Sequence, residues 1–315
     1  MVVLFNTLNE SAKENLFSRA KNKKISLPEG DDERVIKASE ILKKELNIQC
    51  ILGNIEEAKK NKNYTLQAMQ SIAEKKGKAL SQSVEVMSID TTFEGGAMLA
   101  RGEVDAVVSG CLNSTAHVIR AALNTVGLKS NTKVITSAFL LALPKPTQGG
   151  ESLVLYSDCG VIPQPSSADL ADIAFLSQEA FSNWAGKTPQ VSFLSFSTTG
   201  SAEHSDVQKI RDAFKLFSEK HPQILAEGEV QFDTAVVPEI AKRKNPNGKV
   251  QGRTNVFIFP DLDSGNIGYK ITQRIGGADA WGPILLGSAK PFSDLSRGAS
   301  AEDIAHAAIL TLALS

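Results

Sequence analysis

The chain has 315 residues, 42% of them hydrophobic and 22% charged, with a formal net charge of −1; that suits one large or two moderate α/β-sized domains and excludes an electrostatic pull toward nucleic acid or a membrane surface. No apolar run approaches the roughly 20 residues of a membrane span, and MVVLFNTLNESAKENL has no basic leader before its apolar patch, so no signal peptide is expected. Cys50, Cys111 and Cys159 have no CxxC spacing and the four histidines are scattered, so the expectation is free thiols in a reducing cytoplasm and no bound metal.

Residues 11–21 read as a polar opening helix and 24–27 as a short strand ending at Pro28-Glu29-Gly30. A helix follows with Asp31, Asp32 and Glu33 in its first turn, where acids complement the macrodipole. Val35, Ile36, Ala38, Ile41 and Leu42 supply its buried face, and 49–52 is the next strand. Such strand–helix alternation marks the α/β class, with helices packed on a parallel sheet. The lysine-rich stretch 55–90 reads as surface helices and loops, and 93–100 as a helix. A buried strand over 104–108 runs into Ser109-Gly110-Cys111, after which Asn113-Ser114-Thr115 opens the helix carrying Arg120. Two readings fit that helix start. One is a phosphate cradle of hydroxyls, N–H groups and a cation; the other is an ordinary cap, with Arg120 paired to a surface acid.

The apolar run 133–143 follows a domain crossing near 132 and stops at Pro144; a strand is expected over 152–156. Ser166 caps a long helix reaching about Trp184. The strand 191–196 meets Ser197-Thr198-Thr199-Gly200-Ser201, which fits an anion contact or a plain strand-to-helix connection equally well. Further strands are expected over 231–237 and 256–259, with KRKNPNGK (242–249) an exposed loop between them. A helix from near Ile267 carries Tyr269, Lys270 and Arg274; an apolar run over 282–286 then leads to the loop ending Asp294-Leu295-Ser296-Arg297-Gly298. The last helix starts near Ser300, and Ser300-Ala301-Glu302-Asp303 fits the S-x-x-D capping box. These two strand–loop–helix units set Tyr269, Lys270, Ser296, Arg297 and Asp303 at strand mouths, where open α/β sheets bind ligands and helix N-termini suit anions. Ser296 lies in no GxSxG elbow, which leaves an acyl-serine route little support. No GxGxxG follows an expected strand, which weighs against a nicotinamide dehydrogenase.

SGNIGYK, GGADAWGPIL and KPFSDLSRG closely resemble the C-terminal motifs of the phosphate acetyltransferase family. The likeness continues upstream at LPEGDDERVIKA, VVSGCLNSTAHVIRAAL, YSDCGVIPQPSSADLADIA and EVQFDTAVVPEIA. The resemblance implies an enzyme that interconverts acetyl-CoA plus phosphate with acetyl phosphate plus CoA. It implies two α/β domains of isocitrate/isopropylmalate dehydrogenase-like fold, 1–131 with 288–315 and 132–287, and an active-site cleft between them. It further implies coenzyme A as a substrate, no tightly bound cofactor or metal, and a homodimer. By the same resemblance Arg120 and Arg297 hold phosphate, Ser296 bonds an acyl or phosphate oxygen, and Ser114, Thr115, Tyr269 and Lys270 add to the pocket. Tyr269 and Lys270 fit a surface helix tip nearly as well. Asp303 is the residue the family offers as base for the CoA thiol. A thiol near pKa ~8.5 and an aspartate near ~3.9 differ by about 4.6, roughly 6 kcal/mol, so that role needs desolvation of the carboxylate or concerted transfer. Where many family members have an arginine just before the glycine matching Gly77, this chain has Ala73-Glu74-Lys75-Lys76; a lysine there lacks arginine's bidentate fork. The rival readings are a phosphate butyryltransferase and a non-catalytic acyl-CoA-sensing domain. The free-standing chain and its Ser296, Arg297 and Asp303 weigh against the second.

Overall fold

The computed structural model describes residues 4–80 and 83–315. The chain divides into two compact units, one of 1–6, 14–135 and 283–315, the other of 7–13 and 136–282. In chain order the first stretch holds α1 (Glu10–Ala20), β1 (Lys24–Leu27), α2 (Glu33–Leu46), β2 (Gln49–Leu52), α3 (Ile55–Lys60), α4 (Lys62–Lys75), α5 (Val84–Met87), α6 (Thr91–Arg101), β3 (Ala106–Ser109) and α7 (Thr115–Thr125). Next come β4 (Thr136–Ala142), β5 (Leu153–Ser157), α8 (Ser167–Ala185), β6 (Gln190–Leu194), α9 (Ser205–Lys220), β7 (Leu225–Val230), α10 (Phe232–Val236), α11 (Pro238–Lys244), β8 (Val256–Ile258) and α12 (Leu262–Arg274). The chain finishes with β9 (Asp279–Leu286), β10 (Phe292–Asp294) and α13 (Ala301–Leu312).

The first unit is built on a parallel sheet of order β10-β3-β1-β2. Its strands are short apolar runs, AVVS in β3 being buried throughout, as strands covered on both faces must be. Helix α2 buries Val35, Ala38, Leu42 and Leu46, one face at helical spacing, and ends on Asn47 in the left-handed conformation. Helix α13 is apolar almost all round, with Ile304, Ala308, Ile309 and Leu312 fully buried, and it packs on α2 and β3. These contacts fix the first turn of α13, and the loop before it, against the carboxyl ends of the strands.

The second unit has the sheet order β7-β6-β8-β5-β4-β9. The expected parallel arrangement holds for β5 with β8 and for β6 with β8 and β7, but β4 and β5 are antiparallel. The cause is the length of their connection: residues 143–152 are too few for the crossover a parallel pair needs. The strand expected over 231–237 is instead helix α10, and the strand lies just upstream in β7. Glu227 and Glu229 disguised it, since both are only 3% exposed despite their charge. Helix α12 starts at Leu262, five residues before the expected Ile267, with the Asp261 side chain accepting from the Ser264 amide at 2.8 Å. The short strand β10 was read as loop because it offers only Phe292-Ser293-Asp294 behind a proline.

Candidate functional site

The site is assembled at one end of the first unit's sheet. Parallel strands β1, β3 and β10 are neighbours, with Ser109 opposite Asp294 and Ile25 opposite Ala106. Their carboxyl ends therefore release three loops side by side: Pro28-Glu29-Gly30, Gly110 to Ser114, and Leu295 to Ser300. Gly110 sits at φ +125°, and a β-carbon there would lie 2.3 Å from Asp294 Oδ1 and 2.7 Å from the Leu295 amide. Only glycine lets the second and third loops approach this closely.

Two side chains lock the loops together. Glu29 is 7% exposed and accepts from the amides of Gly110, Cys111, Leu112 and Asn113, at 2.9–3.1 Å, and from Asn113 Nδ2 at 3.0 Å. Burial pushes its pKa up, but the hydrogen bonds from Cys111, Leu112, Asn113 and Gly110 outweigh that and hold it below the usual carboxylate value. Arg34, in the first turn of α2, donates to the carbonyls of Arg297 at 2.8 Å and Ala299 at 3.0 Å, and to that of Cys111 at 3.3 Å. Asp32 holds the guanidinium from the other side at 2.7 Å. Of the helix start Asn113-Ser114-Thr115, read from sequence as a phosphate cradle or a cap, the Asn113 amide is thus already filled by a carboxylate of the chain itself, as are the amides of 110–112 before it.

Ser114 is the N-cap of α7, accepting from the His117 amide at 3.3 Å, and both it and Thr115 are exposed. Thr115 Oγ1 donates to Asp294 Oδ2 at 2.5 Å. Asp294 itself is 2% exposed, and its Oδ1 is buried without a hydrogen-bond partner. Burial pushes its pKa up to about 6, with the hydrogen bonds from Thr115 and the Leu295 amide opposing and the charge of Glu29 adding to the rise. Arg120 on α7 and Arg297 on the β10–α13 loop are exposed, and among the described residues neither guanidinium makes a hydrogen bond or ion pair. Ser296 is exposed on the same loop, where its hydroxyl accepts from the Gly298 amide at 3.4 Å. Asp303 closes the capping box of α13: its Oδ2 accepts from the Ser300 amide and hydroxyl at 2.9 Å each, and the Ser300 hydroxyl accepts from the Asp303 amide at 3.1 Å.

Of the expected site residues, Ser114, Thr115, Arg120, Ser296, Arg297 and Asp303 therefore lie on α7, the β10–α13 loop and the first turn of α13, all in the first unit. Tyr269 and Lys270 lie on α12 of the second. There the Tyr269 ring stacks on Phe139 with centroids 3.9 Å apart, and Lys270 Nζ donates to Asn266 Oδ1 at 2.8 Å. Sequence reading passed over Glu29, Arg34 and Asp294. The available signal was the acids Glu29 and Asp294 beside glycine-bearing loops, within LPEGDDER and FSDLSRG. The loop 197–201 resembles the Glu29 arrangement in miniature, since Glu229 Oε1 accepts from the Ser197 hydroxyl at 2.8 Å and the Gly200 amide at 3.0 Å. Those bonds fit the plain strand-to-helix connection. Cys111 Sγ donates to Glu29 at 2.8 Å, and burial, followed by Glu29, raises its pKa, which leaves it a poor nucleophile.

A family model described as Phosphate acetyl/butaryl transferase matches residues 4–312. A phosphate acetyltransferase of Acetivibrio thermocellus is 38% identical over 321 residues, covering 95% of this chain and 96% of its own. The crystal structure of a phosphotransacetylase from Streptococcus pyogenes superimposes with a TM-score of 0.85 at 35% identity, over 97% of this chain and 98% of the other. A 4-hydroxythreonine-4-phosphate dehydrogenase from Klebsiella pneumoniae, at 11% identity and a TM-score of 0.51 over 93% and 99% of the two chains, shares the fold alone.

Proposed function

The chain belongs to the phosphate acetyl/butaryl transferase family and transfers an acetyl group between coenzyme A and inorganic phosphate; from that premise we propose that the transfer is direct, with CoA and acetyl phosphate bound together. The carrying observation is two exposed, uncommitted guanidiniums: that of Arg297, on the loop Arg34 locks in place, and that of Arg120, on the helix following the loop Glu29 holds. An arginine fork matches two phosphate oxygens, and a locked loop does not reorganise as charge moves onto the leaving phosphate. Ser296 sits one residue from Arg297 and donates its hydroxyl to the acyl or phosphate oxygen. CoA enters as thiol and passes its proton to the Asp303 carboxylate, its sulfur attacks the acetyl carbon, and the C–O bond breaks with its electron pair leaving on phosphate. Asp303 is the base in this reading: its Oδ2 closes the capping box, and its Oδ1 is left for the thiol proton.

For the nucleotide end of CoA we favour Lys75 over Lys76. Lys75 borders a cavity of about 440 Å³ shared with Tyr64, Ser71, Arg101 and Lys290, whereas Lys76 Nζ is tied to the Leu123 carbonyl at 2.8 Å. The working form is a homodimer, supported by the exposed stripe of Ile267 and Ile271 on α12 and Ile275 at its C-cap, with exposed Phe232 lining the same cavity as Ile271 and Ile275. Free Cys50, Cys111 and Cys159 suit a reducing cytoplasm.

The test is CoA release from acetyl-CoA on addition of phosphate, read by thiol titration. Wild type turns over; Arg297→Ala loses on the order of 10²–10³ in kcat, the range for removing one charge-stabilising donor, and Lys75→Ala raises KM for acetyl-CoA alone. Turnover with butyryl-CoA but not acetyl-CoA moves the acyl assignment to the longer chain. Silence with both overturns the reaction.

A further inference from the structure

Two strand-end loops of the first unit, 110–114 and 295–300, turn mostly polar groups toward solvent. Ser114, Ser296, Arg297 and Ser300 are exposed, while Cys111, Leu295 and Ala299 are buried. Leu112 departs from that pattern. It is 59% exposed, and among the described residues of these two loops no other apolar side chain is.

A single exposed leucine is ordinary on a protein surface; the way this one is held is not. Its own amide donates to Glu29 Oε1 at 2.9 Å, and so does the Asn113 amide. Asn113 Nδ2 adds bonds to Glu29 at 3.0 Å and to Thr92 Oγ1 at 3.2 Å. On the other side the Cys111 carbonyl accepts from Arg34 at 3.3 Å. A mobile loop can tuck an apolar side chain away from water; here the backbone on both sides is fixed, and the apolar surface stays presented.

Two ties set where Leu112 stands. Gly110 packs so closely on Leu295 that a β-carbon would lie 2.7 Å from the Leu295 amide nitrogen. The Arg34 guanidinium that reaches Cys111 also donates to the carbonyls of Arg297 and Ala299. Leu112 and Arg297 each lie two residues beyond that close approach, one on either loop, and one guanidinium clamps both arms. An acyl phosphate with its phosphate on Arg297 and its carbonyl oxygen on Ser296 still has a methyl group to place. In ligand sites a few polar groups fix orientation and the apolar parts lie on apolar side chains.

We propose that Leu112 is a specificity-determining residue of the transfer: it is the apolar wall on which the acyl methyl rests, and its bulk limits the length of the acyl chain. This inference rests on the acetyl-transfer reading of the same loops. Acetyl phosphate and acetyl-CoA carry the same methyl group, so Leu112 serves both directions. The wall is in place before the ligand arrives, so binding spends nothing on ordering it. Truncation to alanine removes an isopropyl group, larger than the ethylene unit by which a butyryl group exceeds an acetyl.

The experiment measures kcat and KM for acetyl-CoA and butyryl-CoA with phosphate in wild type, Leu112→Ala, Leu112→Met and Leu112→Phe, with melting temperatures alongside. Leu112→Ala should raise the ratio of kcat/KM for butyryl-CoA to that for acetyl-CoA about tenfold or more, the scale on which a pocket discriminates methylene groups. Leu112→Met, of similar volume, should keep the wild-type ratio within about threefold, and Leu112→Phe should lower it about tenfold. KM for phosphate should stay within about threefold throughout. An unchanged ratio in Leu112→Ala overturns the proposal. With it, a common rise in KM for both acyl-CoAs would place Leu112 against the pantetheine arm, and a common fall in kcat with a lowered melting temperature would leave it only holding the loop. Should the alanine variant fail to fold, the methionine and phenylalanine variants decide by the same ratio. A wild type silent with both acyl-CoAs would sink the acetyl-transfer reading itself, a result distinct from an active enzyme whose ratio ignores residue 112.

Discussion

Glu29 and Asp294 show how the same functional group takes opposite characters a few ångströms of backbone apart. Four amides, a carboxamide and a thiol hold Glu29 as an anion, so its contribution to stability is present above its ordinary pKa and fades as pH falls through its lowered one. Asp294 runs the other way. Its folded pKa of about 6 lies above the 3.8 of the free group, so the folded state favours the proton and stability attributable to this residue falls as pH rises from about 4 through 6. The difference corresponds to roughly 3 kcal/mol at most. Asp294→Asn removes that cost, and the melting-temperature difference between variant and wild type should grow in the variant's favour from pH 4 to 7. A constant difference across that range would contradict a titrating Asp294. These roles were hidden in the sequence for a physical reason. An acid at a strand end reads the same whether four amides surround it or none, and only the fold brings residues 29, 110 and 294 together.

The elements were more legible than the contacts. Periodicity and caps located α1, α2, α7, α8 and α13 to within a few residues, because each has one buried face and a recognisable first residue such as Asp32, Ser114, Ser166 or Ser300. The capping-box pattern at Ser300 and Asp303 formed as the spacing indicated. Failures fell where local composition opposed tertiary packing. Strand β7 carries two acids that are buried only because Arg211 and backbone donors serve them, and the first turn of α12 holds Gly265, where a side chain would meet the Asp158 carbonyl at 2.1 Å. The exposed face of α12 also carries a prediction. Ile267, Ile271 and Ile275 are 52–82% exposed at successive turns, and burying about 800 Å² per subunit is typical of a stable pair. Sedimentation of wild type should give twice the chain's 33.7 kDa, and Ile271→Glu should shift it toward the single-chain mass. A wild-type monomer would remove the dimer from the account.

At the scale of the whole molecule, the α/β class and the family likeness were present in the sequence because long motifs such as KPFSDLSRG survive intact. The arrangement that makes those motifs a site was not, since adjacency of β1, β3 and β10 is a property of sheet order rather than of any stretch of chain. The whole account stands on transfer without an acyl-enzyme, for the hydroxyls and thiols near the loops are already engaged or poorly nucleophilic: Thr115 bonds Asp294 and Cys111 bonds Glu29. The most direct test is isotope exchange between labelled CoA and acetyl-CoA. The account predicts no exchange without phosphate and prompt exchange once phosphate is added. Exchange without phosphate, at a rate matching turnover, would mean that the acetyl group rests on the protein, and would contradict direct transfer.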